Sequence, residues 1–178
     1  MKKAVFLDRD GVINKSILID GVPTPPKNVF EVEILEGVIQ AINLLESYKF
    51  VPIVITNQPD VARGTFSQVQ VEEINTYIGF KTNLKYFYTC FHDDSDNCEC
   101  RKPKPGLIHI AASELEIDIP SSFLVGDRWR DIAAAQAAGC DAFFIDHSYQ
   151  EASPELPFKR VESLLQAVHT IIGGAYAS

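Results

Sequence analysis

Short apolar runs recur along the chain, and each has the length of one β-strand. Within these runs the apolar residues follow one another with little alternation, which is typical of parallel strands covered on both faces. The runs occupy residues 5–7, 51–55, 86–91, 122–126 and 142–145. The pattern therefore predicts five buried strands.

Segments with helical periodicity lie between and after these runs. Val38, Ile42 and Leu45 recur at spacings of four and three, which places them on one face of a helix. Gly139 follows another such segment and is a suitable C-terminal cap. The spacing predicts helices over residues 37–48, 105–117, 131–138 and 161–172.

The alternation of strands and helices predicts an α/β fold. We expect a Rossmann-like, open and mainly parallel sheet with helices on both faces and right-handed crossovers. Residues 15–33 contain three prolines and are expected to form an irregular loop or flap near the sheet edge. No repeat or linker divides the sequence, so residues 1–178 are expected to form a single domain without a large cap domain.

Composition narrows the classes of function. The 178 residues are 46% hydrophobic and 22% charged, which is ordinary for a globular protein and wrong for a disordered one. A formal charge of −8 without a dense Lys/Arg run counts against a nucleic-acid partner. No apolar run approaches the length of a membrane span, and the first residues do not resemble a signal peptide. We therefore expect a cytoplasmic protein, active as a monomer.

Polar residues cluster after the predicted strands. In an open parallel sheet, ligands bind beyond the carboxyl ends of the strands, so residues that follow different strands can meet at one edge. Two residues, Arg101 and Lys102, precede a predicted helix instead. Those that follow strands are Asp8, Asp10, Thr56, Asn57, Asp127 and Asp131.

Asp8 and Asp10 are spaced so that both side chains can leave the same side of an extended strand end. A hard cation such as Mg²⁺ would neutralise such a pair, with Asp127 as a further ligand. Two turn or capping aspartates are an equally simple explanation. Asp131 has its own alternative, because it can cap a helix or pair with a neighbouring arginine.

The segments around Thr56 and Lys102 are ambiguous when taken singly. Thr56 and Asn57 can bind a phosphate oxygen, but such residues also form turns and helix caps. Arg101 and Lys102 suit a phosphate group, whereas solvated surface cations are the alternative. The order of these segments and their shared position at the sheet edge favour phosphate binding over turns, caps and surface cations.

Three of the four cysteines lie within eleven residues. Cys90, His92, Cys98 and Cys100 form two close pairs of soft or borderline donors, which suits a tetrahedral structural Zn²⁺ site in a loop over residues 90–100. Disulfides are the alternative, although a Cys-x-Cys bridge is strained. Cys140 is expected to be a buried structural thiol. The remaining histidines, His109, His147 and His169, are expected to serve packing or lie on the surface.

Taken together, the motifs resemble those of the haloacid dehalogenase-like phosphatases. The segments DRDGVIN, TNQ with a later ARG, CRKPKPG and GDR are similar to one group in particular. That group contains the D-glycero-D-manno-heptose 1,7-bisphosphate phosphatases and the histidinol-phosphate phosphatases. The resemblance covers nearly the whole chain.

The resemblance implies a role for each motif residue. Asp8 would be the nucleophile that forms an aspartyl-phosphate, and Asp10 the general acid and base. Mg²⁺ would be held by Asp8, the backbone carbonyl of Asp10 and Asp127, with Asp131 supporting the site. Thr56 and Lys102 would hold the phosphoryl group. Contacts to the rest of the substrate would come from Asn57, Arg101 and Arg128, and the heptose phosphatases carry a similar zinc loop before their lysine.

The implied substrate is a small sugar phosphate, in particular D-glycero-D-manno-heptose 1,7-bisphosphate, which would lose its 7-phosphate. Histidinol phosphate is the nearest alternative, followed by a nucleic-acid 3′-phosphate and by a non-catalytic zinc-stabilised binding domain. Pro59 and Asp60 replace the small, flexible pair expected in TNQSGIARG. The implied chemistry therefore transfers more readily than the substrate.

Overall fold

A computed structural model describes residues 1–175 of the chain. A six-stranded parallel sheet forms its centre, with strand order β5-β4-β1-β6-β7-β8. Two further short strands, β2 and β3, pair antiparallel as a separate hairpin. The strands are β1 (Lys3–Leu7), β2 (Ile17–Ile19), β3 (Val22–Thr24), β4 (Phe50–Asn57), β5 (Tyr86–Cys90), β6 (Phe123–Gly126), β7 (Asp141–Ile145) and β8 (Lys159–Val161).

Helices cover both faces of this sheet. The helices are α1 (Val38–Ser47), α2 (Gln68–Thr82), α3 (Gly106–Leu115), α4 (Trp129–Ala138) and α5 (Leu164–Ala175). Alternate residues of β1 serve the two layers, since Val5 and Leu7 pack with α1, α2 and α5 while Ala4 and Phe6 pack with α3 and α4. This two-sided burial explains the unbroken apolar runs, and the predicted α/β class is confirmed.

The predicted elements are largely present, with shifted ends. Helix α4 begins at Trp129 rather than at residue 131, and α5 begins at Leu164 because Val161 still belongs to β8. Strand β5 ends at Cys90, one residue earlier than predicted.

The hairpin, β8, α2 and the short 3₁₀ helices were not predicted. In α2 the buried Val71, Ile74 and Ile78 are separated by polar residues, so its apolar stripe is weak. A reciprocal cap between Ser67 and Gln70 marks the start of α2 and was the available signal.

The topology gathers the site at one edge. Strand β1 lies between β4 and β6, so the carboxyl ends of these three strands are adjacent. The segment predicted as an irregular flap leaves and returns beside this edge, because Asn14 and Ile34 form a bridge at its base. It contains the β2–β3 hairpin and a short 3₁₀ helix, Val29–Glu31. Within residues 1–175 no helix is long and apolar enough to cross a membrane.

Candidate active site

Lys102 connects the ends of β1 and β4 to helix α4 through its ammonium group. Nζ donates to Asp8 Oδ1 at 2.9 Å, to Asp131 Oδ1 at 2.6 Å and to the Ile55 carbonyl at 2.9 Å. All three donors of the ammonium are therefore used. Burial alone would lower the pKa of Lys102, but the carboxylates of Asp131 and Asp8 raise it above its usual range, so the side chain stays charged.

Three buried carboxylates surround one point at this edge. Oxygens of Asp8, Asp127 and Asp131 lie within 4.8 Å of one another, and Lys102 is the cation beside them. Burial, reinforced by Asp131, raises the pKa of Asp8 to about 6 although Lys102 opposes the shift. Burial, followed by repulsion from Asp8 and Asp131, raises the pKa of Asp127 well above its usual range.

Asp127 has the feature that most clearly indicates a cation-binding site. Both of its carboxylate oxygens are buried without a hydrogen-bond partner of good geometry. An unpaired buried carboxylate is costly unless a cation or donors compensate it. Hard oxygen donors are those that Mg²⁺ prefers, so Asp8 and Asp127 fit the predicted ion. Asp131 bonds to Lys102 and also accepts from the Arg128 backbone N–H at 3.0 Å, so it does cap α4.

A glycine turn brings the end of β1 against these acids. Gly11 has a φ of +87°, and a Cβ built on it would lie 1.8 Å from Asp127 Oδ2. Its N–H donates to the Asn14 carbonyl at 2.7 Å, which closes the turn. Only a residue without a side chain fits here.

Three side chains donate hydrogen bonds to the Asp10 carboxylate. Arg9 Nη2 and Gln58 Nε2 donate to its Oδ2 at 2.9 Å and 2.8 Å, and Asn14 Nδ2 donates to its Oδ1 at 2.9 Å. Arg9 is fully buried and also donates to Asn75 on α2 at 2.9 Å. Sequence reasoning did not identify Arg9, Asn14, Gln58 or Asn75, whose pairing joins segments far apart in the chain.

The two residues at the end of β4 are held differently. Thr56 is buried and its Oγ1 accepts from Gln58 Nε2 at 2.9 Å. Asn57 uses both ends of its amide on the Lys102 backbone: Nδ2 donates to the carbonyl at 3.0 Å and Oδ1 accepts from the N–H at 3.1 Å. Asn57 therefore fixes the position of Lys102, whatever else it contacts.

An open cleft of about 340 Å³ leads to the carboxylates. Arginine side chains line it, each paired with an acid: Arg101 donates to Asp94 at 2.8 Å and Arg128 to Glu151 at 2.9 Å. A third, Arg63, pairs with Asp93 at 2.7 Å. The hairpin residues from Val22 to Pro25 and the departures Pro59 and Asp60 also line the cleft. Both unusual segments of the sequence thus reach the place where a substrate would bind.

The predicted cysteine cluster is assembled beside this cleft. Cys90 Sγ lies 3.7 Å from Cys98 Sγ and 3.0 Å from Cys100 Sγ, and His92 Nδ1 lies 3.3 Å from Cys100 Sγ. A tetrahedral ion with bonds of about 2.3 Å separates its sulfur ligands by about 3.8 Å, so the four donors are near the spacing that a metal requires. All four cysteines are free, and Cys140 is buried apart from the cluster, as predicted.

The remaining histidines are exposed, as expected for His109 and His169. His147 is different, because its Nε2 lies 2.8 Å from the Gly11 carbonyl oxygen. This contact crosses 136 positions of sequence, so no local pattern could have revealed it.

Comparisons with known proteins agree with this arrangement. A family model described as HAD-hydrolase-like matches residues 99–160. The D-glycero-beta-D-manno-heptose-1,7-bisphosphate 7-phosphatase of Escherichia coli K12 is 33% identical over 164 residues, which cover 85% of this chain and 83% of the relative. The protein of the same name from Helicobacter pylori is 37% identical over 140 residues, covering 74% and 76%.

Among solved structures, one similar protein is a D,D-heptose 1,7-bisphosphate phosphatase from B. bronchiseptica, crystallised with magnesium and phosphate. Its TM-score is 0.84, with 28% identity and coverage of 97% of this chain and 99% of that chain. The likeness therefore extends across the sheet and both helix layers, well beyond the motif residues.

Proposed function

We propose a substrate and a mechanism for this chain, which belongs to the haloacid dehalogenase-like phosphatases. The proposed reaction is removal of the 7-phosphate from D-glycero-D-manno-heptose 1,7-bisphosphate. The curated relatives carry that name and align with most of this chain. The observation that carries the chemistry is the set of buried carboxylates of Asp8 and Asp127 against Lys102, at the floor of an arginine-lined cleft.

Asp8 would be the nucleophile. Its Oδ1 accepts from Lys102 and from the Arg9 backbone N–H at 2.8 Å, which fixes the carboxylate orientation. In the first step a carboxylate oxygen of Asp8 forms a bond to phosphorus while the bond from phosphorus to the sugar oxygen breaks. The sugar oxygen leaves with a proton from Asp10.

Asp10 would then act as the base. It takes a proton from a water molecule, whose oxygen attacks phosphorus, and the bond to Asp8 breaks to release inorganic phosphate. The donors from Arg9, Asn14 and Gln58 hold the Asp10 carboxyl in place through both steps. One rigid carboxyl can thus serve as acid and then as base.

Asp8, the Asp10 carbonyl and Asp127 would hold Mg²⁺, which would neutralise the carboxylates and withdraw charge from the phosphoryl oxygens. The Thr56 hydroxyl and Lys102 would bind the phosphoryl group, and Lys102 would give up one of its three present hydrogen bonds to do so. These assignments make Lys102 the side chain that links nucleophile and phosphate.

Arg101 and Arg128 would contact the remainder of the substrate, with Asn57 at the margin of the site. A bisphosphate carries a second anionic group, and the guanidinium groups of this cleft suit it. Because the site residues come from Asp8 through Asp131 of one chain, we also propose that residues 1–178 act as one domain and that a monomer suffices.

The cluster of Cys90, His92, Cys98 and Cys100 would hold a structural Zn²⁺. The ion would fix the loop that carries Arg101 and Lys102 beside the site. Thiolate ligands persist in a reducing compartment, so a cytoplasmic location suits this assignment.

Phosphate release from a substrate panel with and without Mg²⁺ tests the proposal. We expect turnover of the heptose bisphosphate with Mg²⁺ and its loss in Asp8→Asn, whereas Asp141→Asn at the opposite end of the sheet retains it. Turnover by Asp8→Asn equal to that of the wild type would exclude the aspartyl-phosphate route.

The panel also separates the alternatives. Preferential turnover of histidinol phosphate, or of a 3′-phosphorylated oligonucleotide, would replace the proposed substrate while keeping the chemistry. No release from any phosphate ester would favour a zinc-stabilised binding domain instead.

A further inference from the structure

The segment that follows β7 touches the catalytic edge at three places. We call residues 146–151 the strap. Sequence analysis assigned no function to it. In the structure, His147, Tyr149 and Glu151 each contact a different residue of the site: Gly11, Asp127 and Arg128, respectively.

Tyr149 lies directly beside the unpaired carboxylate. Its hydroxyl is 3.1 Å from the point where a Cβ on Gly11 would stand, and Asp127 Oδ2 is 1.8 Å from the same point. The hydroxyl lowers the pKa of Asp127, against the larger effects of burial and repulsion, and it also interacts with Ser16 at the base of the hairpin. The hydroxyl is therefore a neighbouring donor for Asp127, although its hydrogen bond to the carboxylate does not have good geometry here.

Contacts on either side hold the Tyr149 ring in place. His147 bonds to the Gly11 carbonyl at 2.8 Å, and its ring lies 5.4 Å from the ring of Tyr149. Glu151 accepts from Arg128 Nε at 2.9 Å. The strap is thus fixed to the glycine turn at one end and to α4 at the other.

The strap forms part of the surroundings that bury Asp127. A small cavity of about 60 Å³ is lined by Tyr149, Glu151 and Asp127. Asp127 itself is 2% exposed. Since burial is the largest cause of its raised pKa, this covering makes the carboxylate dependent on a cation.

We propose that Tyr149 is a positioning residue for the metal site: its hydroxyl donates to one oxygen of Asp127 and leaves the other oxygen facing the divalent cation. The inference rests on the proposed Mg²⁺ site. Hydrogen bonds from such neighbours orient a ligating carboxylate, and their loss commonly weakens metal binding by about 10–100-fold.

The test is a Mg²⁺ titration of the zinc-loaded protein, previously dialysed into magnesium-free buffer and followed by its thermal shift. We expect Tyr149→Phe to raise the Mg²⁺ concentration at the midpoint by about tenfold or more, while saturating Mg²⁺ restores most of kcat. Tyr88→Phe is the matched control, because it also removes a hydroxyl bonded to a carboxylate, that of Glu114 at 2.7 Å. This control should leave the midpoint unchanged.

The outcomes distinguish the two proposals. A Tyr149→Phe midpoint equal to that of the wild type would overturn the role of Tyr149 while leaving the metal site intact. A wild type without a Mg²⁺-dependent shift would overturn the metal site itself. Because the shift is measured relative to each metal-free variant, a general loss of stability in Tyr149→Phe does not imitate a change in affinity. His147→Ala, which releases the strap from Gly11, should weaken Mg²⁺ binding in the same direction.

Discussion

Asp127→Asn should make the magnesium-free protein more stable while abolishing its activity. Asp127 is buried, its oxygens have no donor of good geometry, and it lies within 4.8 Å of oxygens on Asp8 and Asp131. At an effective dielectric constant of about 20, two unit charges at that distance repel by about 3 kcal/mol. Lys102 and partial protonation offset part of this repulsion, so we expect a net gain of about 1–2 kcal/mol from the neutral amide.

The difference in stability between Asp127→Asn and the wild type should depend on pH. Raised pKa values for Asp8 and Asp127 mean that the folded, metal-free chain holds protons that the unfolded chain releases. Its free energy of unfolding therefore falls as pH rises from about 4 through about 6, the latter being the pKa of Asp8. The advantage of Asp127→Asn should be large at pH 7.5 and smaller at pH 5.

Thermal unfolding in magnesium-free buffer measures the effect. Dialysis is preferable to a strong chelator, because a chelator would also remove the proposed zinc from the cysteine cluster. At pH 7.5 a gain of this size raises Tm by about 2–8 °C, and excess Mg²⁺ should stabilise the wild type but not the variant. If Asp127→Asn unfolds at a lower temperature than the wild type under these conditions, the buried carboxylates are not mutually repelling and the reasoning fails.

Two further substitutions test individual features. Gly11→Ala should reduce Mg²⁺ affinity and activity, because the added Cβ would meet Asp127. Gly139→Ala is the control: its φ of +85° is close to the +87° of Gly11, but a Cβ there would have nothing within 4 Å. Equal activity in the two variants would contradict the steric argument. Cys100→Ser should lower the amount of bound zinc and, by releasing the loop that carries Lys102, should lower kcat. Metal analysis of the purified proteins checks this, with Cys140→Ser as a control that should retain zinc. Full zinc occupancy in Cys100→Ser would remove Cys100 from the ligand set.

The strap and the glycine turn together position and enclose the Asp127 carboxylate. Gly11 permits the turn after β1 to lie against Asp127, and His147 fixes the carbonyl of that same glycine. A carboxylate enclosed in this way is unfavourable without a cation, so we expect a bound divalent cation to stabilise the fold. Stability and activity are therefore expected to depend on Mg²⁺ together.

The layers of this protein and the chemical groups of its site can be predicted from the sequence alone. Continuous apolar runs require burial on both faces, which specifies a parallel sheet between helices, and the residues that follow those runs necessarily meet at one edge. The cysteine cluster could also be predicted, because its four donors lie within eleven residues. Local spacing was sufficient wherever the contacts are local or where strand order brings the ends together.

The folded arrangement of the chain sets which partners these groups have. It assigned both ends of the Asn57 amide to the Lys102 backbone and buried Arg9 between Asp10 and Asn75. It also left Asp127 without a hydrogen bond of good geometry. It also brought the strap to Gly11 across 136 positions. Periodicity encodes which face of an element is buried, but hydrogen-bond pairing between distant segments depends on how the packed elements meet, and no local pattern in a single sequence records it.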